Sequence, residues 1–135
     1  MSVERINPPS LAEPEGFMHV SIATGARMVF LAGQVGVDSN GELVGEGDLA
    51  AQTAQALRNV HAGLEAAGAT FDDVAKVTLY IVDWTDDKME QLMAGVTAAA
   101  GELGGAPVAS STLVSVPRLF RAEYLIELDV TAVID

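Results

Sequence analysis

The stretch Y-L-I-E-L-D-V-T-A-V, residues 124–133, decides the fold that this sequence predicts. It contains no glycine or proline, and it predicts a long strand over residues 123–134. Successive side chains of a strand point to opposite faces, and apolar residues occupy both sets of alternate positions here. Both faces are therefore too apolar for one of them to meet water. We expect one face to pack against other subunits.

Two more strands precede this one. The stretch A-K-V-T-L-Y-I-V-D, residues 75–83, alternates between Val77, Leu79 and Ile81 on one face and polar or amphipathic side chains on the other. Residues 108–116 form the next apolar alternation. Nearer the N-terminus, the short apolar runs 18–22 and 27–31 are separated by Thr24-Gly25, which predicts a hairpin.

Two helices are expected between these strands. Apolar residues repeat at helical spacing from Asp48, a suitable N-cap, to Gly68, a suitable C-terminal stop. A second helix is capped by Thr85 and ends at a group of glycines at 101, 104 and 105. The order is β-β-α-β-α-β-β, with the extended first fifteen residues as the source of a further strand.

This order predicts an α+β fold in which both helices cover one face of a single mixed sheet. The other face remains bare, so we predict a closed oligomer. The chain shows no linker or low-complexity tract, and residues 1–135 are expected to form one domain.

Composition limits the function. The chain has no cysteine, no apolar run near the roughly 20 residues that span a bilayer, and an N-terminus unlike a signal peptide. We therefore expect a cytoplasmic protein with no membrane partner. The formal net charge is −12, with seven scattered basic residues, which argues against nucleic-acid binding.

Several kinds of site are disfavoured by the residues themselves. His19 and His61 lie far apart in sequence, so no metal site is expected. Gly33, Gly36 and Gly41 do not form the G-x-G-x-x-G pattern, so no dinucleotide is expected, and no other cofactor is indicated. The chain also lacks the G-x-S-x-G elbow of serine hydrolases.

One pair of carboxylates remains as a candidate. Glu127 and Asp129 lie two residues apart on the last predicted strand, so both project from one face. At a subunit contact they would be suited to proton transfer. The alternative is that both are solvated on an edge strand, and composition alone favours that alternative.

The motifs as a set resemble those of the RidA/YjgF family. A-P-V-A-S-S-T-L-V-S-V (106–116) followed by Y-L-I-E-L-D-V-T-A-V is similar to the family's C-terminal signature. V-F-L-A-G-Q-V (29–35) is similar to its S-G-Q strand, and A-A-Q-T-A-Q-A-L-R-N-V (50–60) to its first helix. The stretch from residue 64 to 83 matches its helix–turn–strand segment, so the resemblance covers nearly the whole chain.

The resemblance implies a chorismate-mutase-like fold and a homotrimer with a central barrel. It also implies small-molecule clefts at the three subunit interfaces. Active members of the family hydrolyse reactive enamines and imines, such as 2-aminoacrylate, to a 2-keto acid and ammonia. In those members an arginine clamps the substrate carboxylate, and a glutamate orients the attacking water.

The resemblance assigns roles to particular residues. Glu127 stands at the water-orienting glutamate and is the candidate catalytic residue. Gly33 lies in the strand whose backbone lines the cleft. Phe17 and His19 occupy the region where the family often has a tyrosine facing the ligand.

The C-terminal signature departs from the family pattern at one position. Ser110 matches the family serine, and Ser111 stands where cysteine is common, but the arginine is replaced by Ala109. Arg118 and Arg121, in the connection that follows, are the alternative sources of a positive charge.

Two functions remain open. The first is a deaminase-type hydrolase that acts on a small imine, enamine or related C=N compound other than the usual amino-acid-derived imine. The retained Glu127 favours it. The second is a non-catalytic trimeric module that binds a small metabolite, which the missing arginine favours. We lean toward the enzyme.

Overall fold

The computed structural model describes residues 3–135 of the chain. Within that range lie seven strands, two α-helices and two short 3-10 turns, at Phe71–Asp73 and Asp86–Lys88. The strands are β1 Val3–Ile6, β2 Val20–Ala23, β3 Arg27–Phe30, β4 Gln34–Val35, β5 Val74–Val82, β6 Ser110–Val116 and β7 Ile126–Ile134. The helices are α1 Leu49–Ala66 and α2 Met89–Leu103.

The larger sheet has the strand order β3-β7-β5-β6, and β4 also pairs with β7. β7 is antiparallel to β3, β4 and β5, while β5 and β6 are parallel. The parallel pair is joined by α2, as a parallel connection requires a crossover. The α+β class with a mixed sheet and two helices is confirmed, and β7, the strand predicted from residues 123–134, is central to the sheet.

Helix α1 begins and ends where the sequence predicts. The Asp48 side chain accepts a hydrogen bond from the Ala51 N–H at 3.0 Å, and Gly68 follows the helix with φ of +79°. Helix α2 starts later than expected: Thr85 precedes the 3-10 turn and makes no capping bond, and the α-helix begins at Met89. Gly104 ends it in the left-handed conformation.

The core lies between the helices and one face of the sheet. It is made of the apolar stripe of α1, part of α2 and alternate residues of β5 and β7. The largest buried side chains in this layer include Leu64, Ile81, Ile126 and Val130. On β7, Ile126, Leu128, Val130 and Ala132 face the helices.

The opposite face of the sheet is not covered by the helices. On β7 it carries Glu127, Asp129, Thr131 and Val133. Met28 and Phe30 of β3 pair with Val133 and Thr131, share this face, and are 61% and 69% exposed.

The hairpin predicted around Thr24-Gly25 is wrong. β2 pairs with β1 of the N-terminal arm, and β3 pairs with β7, in two different sheets. The reason lies at Gly25, where a Cβ atom would be 2.5 Å from the carbonyl oxygen of Ile134. The turn therefore passes against the end of β7 and directs β3 onto that strand rather than back onto β2.

Candidate functional site

Glu127 and Gly33, two of the predicted site residues, lie directly against one another. Gly33 lies just before β4, and β4 pairs with β7 so that Val35 is opposite Glu127. A Cβ atom on Gly33 would lie 2.6 Å from Cδ and 2.9 Å from Oε1 of Glu127. The backbone at Gly33 therefore lies directly beneath the carboxyl group, and only glycine leaves room for it.

Within residues 3–135, no lysine or arginine forms an ion pair with Glu127, and the residue is partly exposed. Asp129, two residues along the same face, is exposed. The two carboxylates thus share a face as the sequence predicts, on a central strand rather than on an edge strand.

Tyr80 is a neighbour that the sequence did not reveal. It is the Cα partner of Glu127 in the β5–β7 ladder, and directly paired residues project from the same face of a sheet. The alternation of β5 already separated Tyr80 from the buried Val77 and Ile81. The pattern of residues within β5 does not show which residue of β7 lies opposite Tyr80, because the register between the two strands is set by the folded structure.

The two N-terminal candidates contact one another. The rings of Phe17 and His19 meet edge to face with centroids 5.3 Å apart. His19 Nε2 lies 2.6 Å from the Ala12 carbonyl oxygen, and its backbone N–H donates to Asn7 Oδ1 at 2.8 Å. The histidine is therefore held by the N-terminal arm.

Ala109 is fully buried, with 0% of its surface exposed. Its carbonyl oxygen accepts a hydrogen bond from the Met18 N–H at 3.1 Å and one from Ser111 Oγ at 3.0 Å. Ser110 is joined to β2: its N–H and its hydroxyl contact Ser21 Oγ at 3.1 and 2.8 Å.

A cavity of about 320 Å³ lies between the helices and the sheet. Phe17 and Ser111 line it, together with Leu128 and Val130 of β7. Glu127 and Gly33 do not line it. Within one chain, Phe17 and Ser111 therefore lie at the cavity, whereas Glu127 lies on the uncovered face of the sheet against Gly33.

The contacts of Arg118 and Arg121 do not bring either side chain to the predicted site residues. Arg118 donates to the carbonyl oxygens of Leu119 and Phe120 at 3.1 and 3.2 Å. Arg121 lies over the Phe120 ring, 5.5 Å from its centroid. Both side chains are engaged within their own loop.

Two further kinds of site were searched for among residues 3–135. No three histidine, aspartate or glutamate side chains are grouped closely enough to hold a metal ion. No described helix combines the length and apolar character that crossing a membrane requires.

The comparisons with known proteins agree with this architecture. The family model described as Endoribonuclease L-PSP matches residues 11–134. A solved structure of a protein of unknown function from Yersinia pestis, YyfB of the conserved Rid protein family, superposes with a TM-score of 0.87. It is 35% identical, and the match covers 99% of this chain and 100% of that one. The chain belongs to the RidA/YjgF family.

Two curated relatives show what the family contains. A RutC family protein of Pyrococcus horikoshii is 47% identical over 68 residues, which are 49% of this chain and 53% of that protein. The human 2-iminobutanoate/2-iminopropanoate deaminase is 41% identical over 61 residues, 44% of each chain. The chain thus matches about half the length of these relatives, and imine deaminases are among them.

Proposed function

We propose that this protein is a RidA-like hydrolase that deaminates a small reactive imine, enamine or related C=N compound in a cleft between the subunits of a homotrimer. The observation that best supports this is the Glu127 carboxyl group, which lies against the Gly33 backbone. With no cation paired to it among residues 3–135, the carboxylate is available to take a proton from water.

In the proposed reaction, Glu127 accepts a proton from water as the water oxygen bonds to the carbon of the C=N group. Glu127 gives this proton to the nitrogen, which produces a carbinolamine. The hydroxyl proton then passes by way of Glu127 to the amino group as the C–N bond breaks, so ammonia leaves and a carbonyl remains. Water is consumed, and no oxidant, reductant or cofactor is needed. The Tyr80 hydroxyl, on the same face as Glu127, is placed to stabilise developing charge.

The division of the candidate residues supports the proposed trimer. Glu127 and Gly33 lie on the uncovered face, whereas Phe17 and Ser111 line the cavity on the other side. We propose that the two sets meet across a subunit interface, with His19, Ala109 and Ser110 close to it. The exposed Met28 and Phe30 supply apolar area for such an interface.

The substrate is proposed to differ from an amino-acid-derived imine. Buried Ala109 stands at the position of the family's arginine, and Arg118 is bound to its own loop. Each charge-assisted hydrogen bond contributes about 1.5–3 kcal/mol. Loss of one such bond therefore corresponds to roughly ten- to a hundredfold in rate for a carboxylate-bearing substrate. A C=N compound without a carboxylate loses nothing.

The test is an assay of ammonia release from freshly generated imines, one series with a carboxylate and one without. We expect turnover in the series without it, and we expect Glu127→Gln to abolish that turnover. Asp129→Asn is the matched control, since it removes a carboxylate two residues away on the same face. Full turnover in the Glu127→Gln variant would refute the proposed mechanism.

A non-catalytic metabolite-binding module is the second candidate, and the buried Ala109 in place of an arginine favours it. In that case no imine of either series is turned over, and Glu127→Gln changes only ligand affinity. Binding without ammonia release would establish this function in place of the enzyme.

The remaining parts of the proposal concern setting and partners. We propose that residues 1–135 act as one domain, in the cytoplasm, with a small molecule as ligand. We do not propose the endoribonuclease activity that the family model's description names, because a net charge of −12 opposes binding to RNA phosphates.

A further inference from the structure

Gln52 is a fully buried amide in the first helix. It lies among the buried residues of α1, and 0% of its surface is exposed. Glutamine is mostly found at protein surfaces, and a buried amide is costly unless it is hydrogen-bonded. A buried glutamine is therefore expected to hold specific partners, and those partners show what it does.

The amide group makes three hydrogen bonds, all to backbone groups outside its helix. Gln52 Nε2 donates to the carbonyl oxygens of Gly45 and Glu123 at 3.0 and 3.1 Å. Its Oε1 accepts from the Leu125 N–H at 2.9 Å. Both N–H donors of the amide are in use together with its oxygen. A carboxylate could not donate to the two carbonyl oxygens, and an apolar side chain would make none of these bonds.

Leu125 is the last residue of the loop that leads into β7. The strand begins at the next residue, so Glu127 follows Leu125 by two. Leu125 is held from both sides: its N–H donates to Gln52, and its carbonyl oxygen accepts from the Val82 N–H of β5 at 3.0 Å. These two bonds fix the direction in which the chain enters β7.

The rest of this loop is poorly buried. Residues 117–123 are exposed apart from a half-buried Leu119, and Phe120 is 82% exposed. Segments with few buried contacts open locally at a low cost in free energy. Without the bonds to Gln52, the first residues of β7 would share the freedom of the loop before them.

Helix α1 also holds the chain around β4. A Cβ atom on Gly36 would lie 2.8 Å from Cα and 2.9 Å from Cβ of Gln52. Asn59, about two turns further along the same face of α1, donates from Nδ2 to the carbonyl oxygens of Val35 and Val37 at 2.9 and 2.8 Å. β4 has only two residues, so these contacts with α1 help to locate it.

The two segments that α1 holds are the ones that meet at the candidate site. β4 follows Gly33, and β7 carries Glu127, whose carboxyl group lies against the Gly33 backbone. Gln52 does not reach that carboxyl group, because α1 packs on the face of the sheet opposite to the Glu127 side chain. Any effect of Gln52 on Glu127 therefore passes through the backbone.

We infer that Gln52 is a positioning residue for Glu127: it fixes the start of β7 against β4, so that the carboxyl group is aligned with the attacking water. The inference rests on the proposed deaminase function, in which Glu127 takes a proton from water. Catalytic groups must be held closely, since a misplacement of about 1 Å can cost roughly a hundredfold in rate.

Gln52→Leu tests the inference, because leucine fills the space with an apolar side chain and makes none of the three hydrogen bonds. Turnover is measured as ammonia release per folded molecule, from the imine that the wild type hydrolyses. We expect kcat to fall about tenfold or more while KM changes by less than about twofold, because the base is misplaced and the substrate still binds.

Val60→Ala is the matched control. Val60 is a fully buried core residue of the same helix, and its truncation lowers stability without removing a hydrogen bond at the start of β7. We expect its kcat per folded molecule to stay within about twofold of the wild type. An equal loss of kcat in the two variants would show that Gln52 has only a structural role and would overturn the inference.

Two NMR measurements test the positioning without an assay. The Leu125 amide proton should exchange with solvent about tenfold faster or more in Gln52→Leu, after correction for the change in global stability. The amide signals of Gly33 and Glu127 should shift in this variant and not in Val60→Ala. If Gln52→Leu does not fold, Gln52→Asn replaces it, because an amide one methylene shorter cannot reach all three partners.

Unchanged exchange at Leu125 together with unchanged signals of Gly33 and Glu127 would overturn the inference, whether or not any imine is hydrolysed. Full turnover by the folded Gln52 variant would also overturn it. If the wild type hydrolyses no imine, the proposed function fails, and the NMR measurements alone decide whether Gln52 holds Glu127 in place.

Discussion

Gly33 lies so close to Glu127 that a single added carbon atom would overlap the carboxyl group, 2.6 Å from its Cδ. The φ angle of Gly33 is not in the left-handed region, so backbone freedom does not explain the glycine. The lack of room for a side chain explains the glycine. The main chain at Gly33, just before β4, packs directly against the Glu127 carboxyl group.

Gly33→Ala is expected to reduce imine turnover at least tenfold with little change in stability. The atoms that overlap the new Cβ belong to the end of a flexible side chain, which moves aside at low cost and takes the carboxylate out of position. Steady-state ammonia release and thermal unfolding measure the two effects. A Gly33→Ala variant that keeps full turnover would contradict this explanation.

Phe30→Glu is expected to dissociate the proposed trimer. Phe30 is 69% exposed on the sheet face that the helices leave bare, and a charge there would be buried without a partner on assembly. Sedimentation velocity at micromolar concentration measures the change. Phe120→Glu is the control, because Phe120 is also exposed, at 82%, but lies in the loop before β7. A wild-type protein that is itself monomeric would refute the proposed assembly.

Gly95→Ala is expected to lower the free energy of unfolding by about 1–3 kcal/mol. A Cβ atom there would lie 2.4 Å from the Ala50 carbonyl oxygen and 2.7 Å from Thr53 Cβ, and the backbone oxygen has little freedom to move. Gly101→Ala, in the same helix, has no atom within 4 Å and should raise stability by about 0.5–1 kcal/mol. Chemical denaturation measures both. Equal effects of the two substitutions would show that the helices do not cross at Gly95.

The local sequence pattern predicted correctly those elements whose capping and stop residues lie within or next to the element. Asp48 caps α1 through a bond to Ala51, three residues away, and Gly68 ends the same helix. The partners of β2 and β3 were not predicted correctly, because a Gly-containing turn is compatible with a hairpin and also with two strands that leave for different sheets.

The candidate site shows the same limit. Glu127 and Gly33 were identified through the family resemblance, and the structure places them in contact. Tyr80 was missed because its position opposite Glu127 depends on a register set by contacts about fifty residues apart in sequence. The cavity was missed for a related reason. Its lining comes from separate helices and strands, and no single segment of the sequence shows that a space remains between them.

Ala109→Arg is expected to change selectivity and to reduce stability. A guanidinium at this position restores the group that the family uses to hold a carboxylate, so kcat/KM for carboxylate-bearing imines should rise relative to imines without one. Ala109 is fully buried beneath the backbone bond from Met18, so a long charged side chain has to displace that segment. We expect a loss of about 1–3 kcal/mol in the free energy of unfolding. Ala109→Met is the control, since it adds bulk without charge and should reduce stability without favouring carboxylates. The same selectivity in both variants would show that position 109 does not face the substrate.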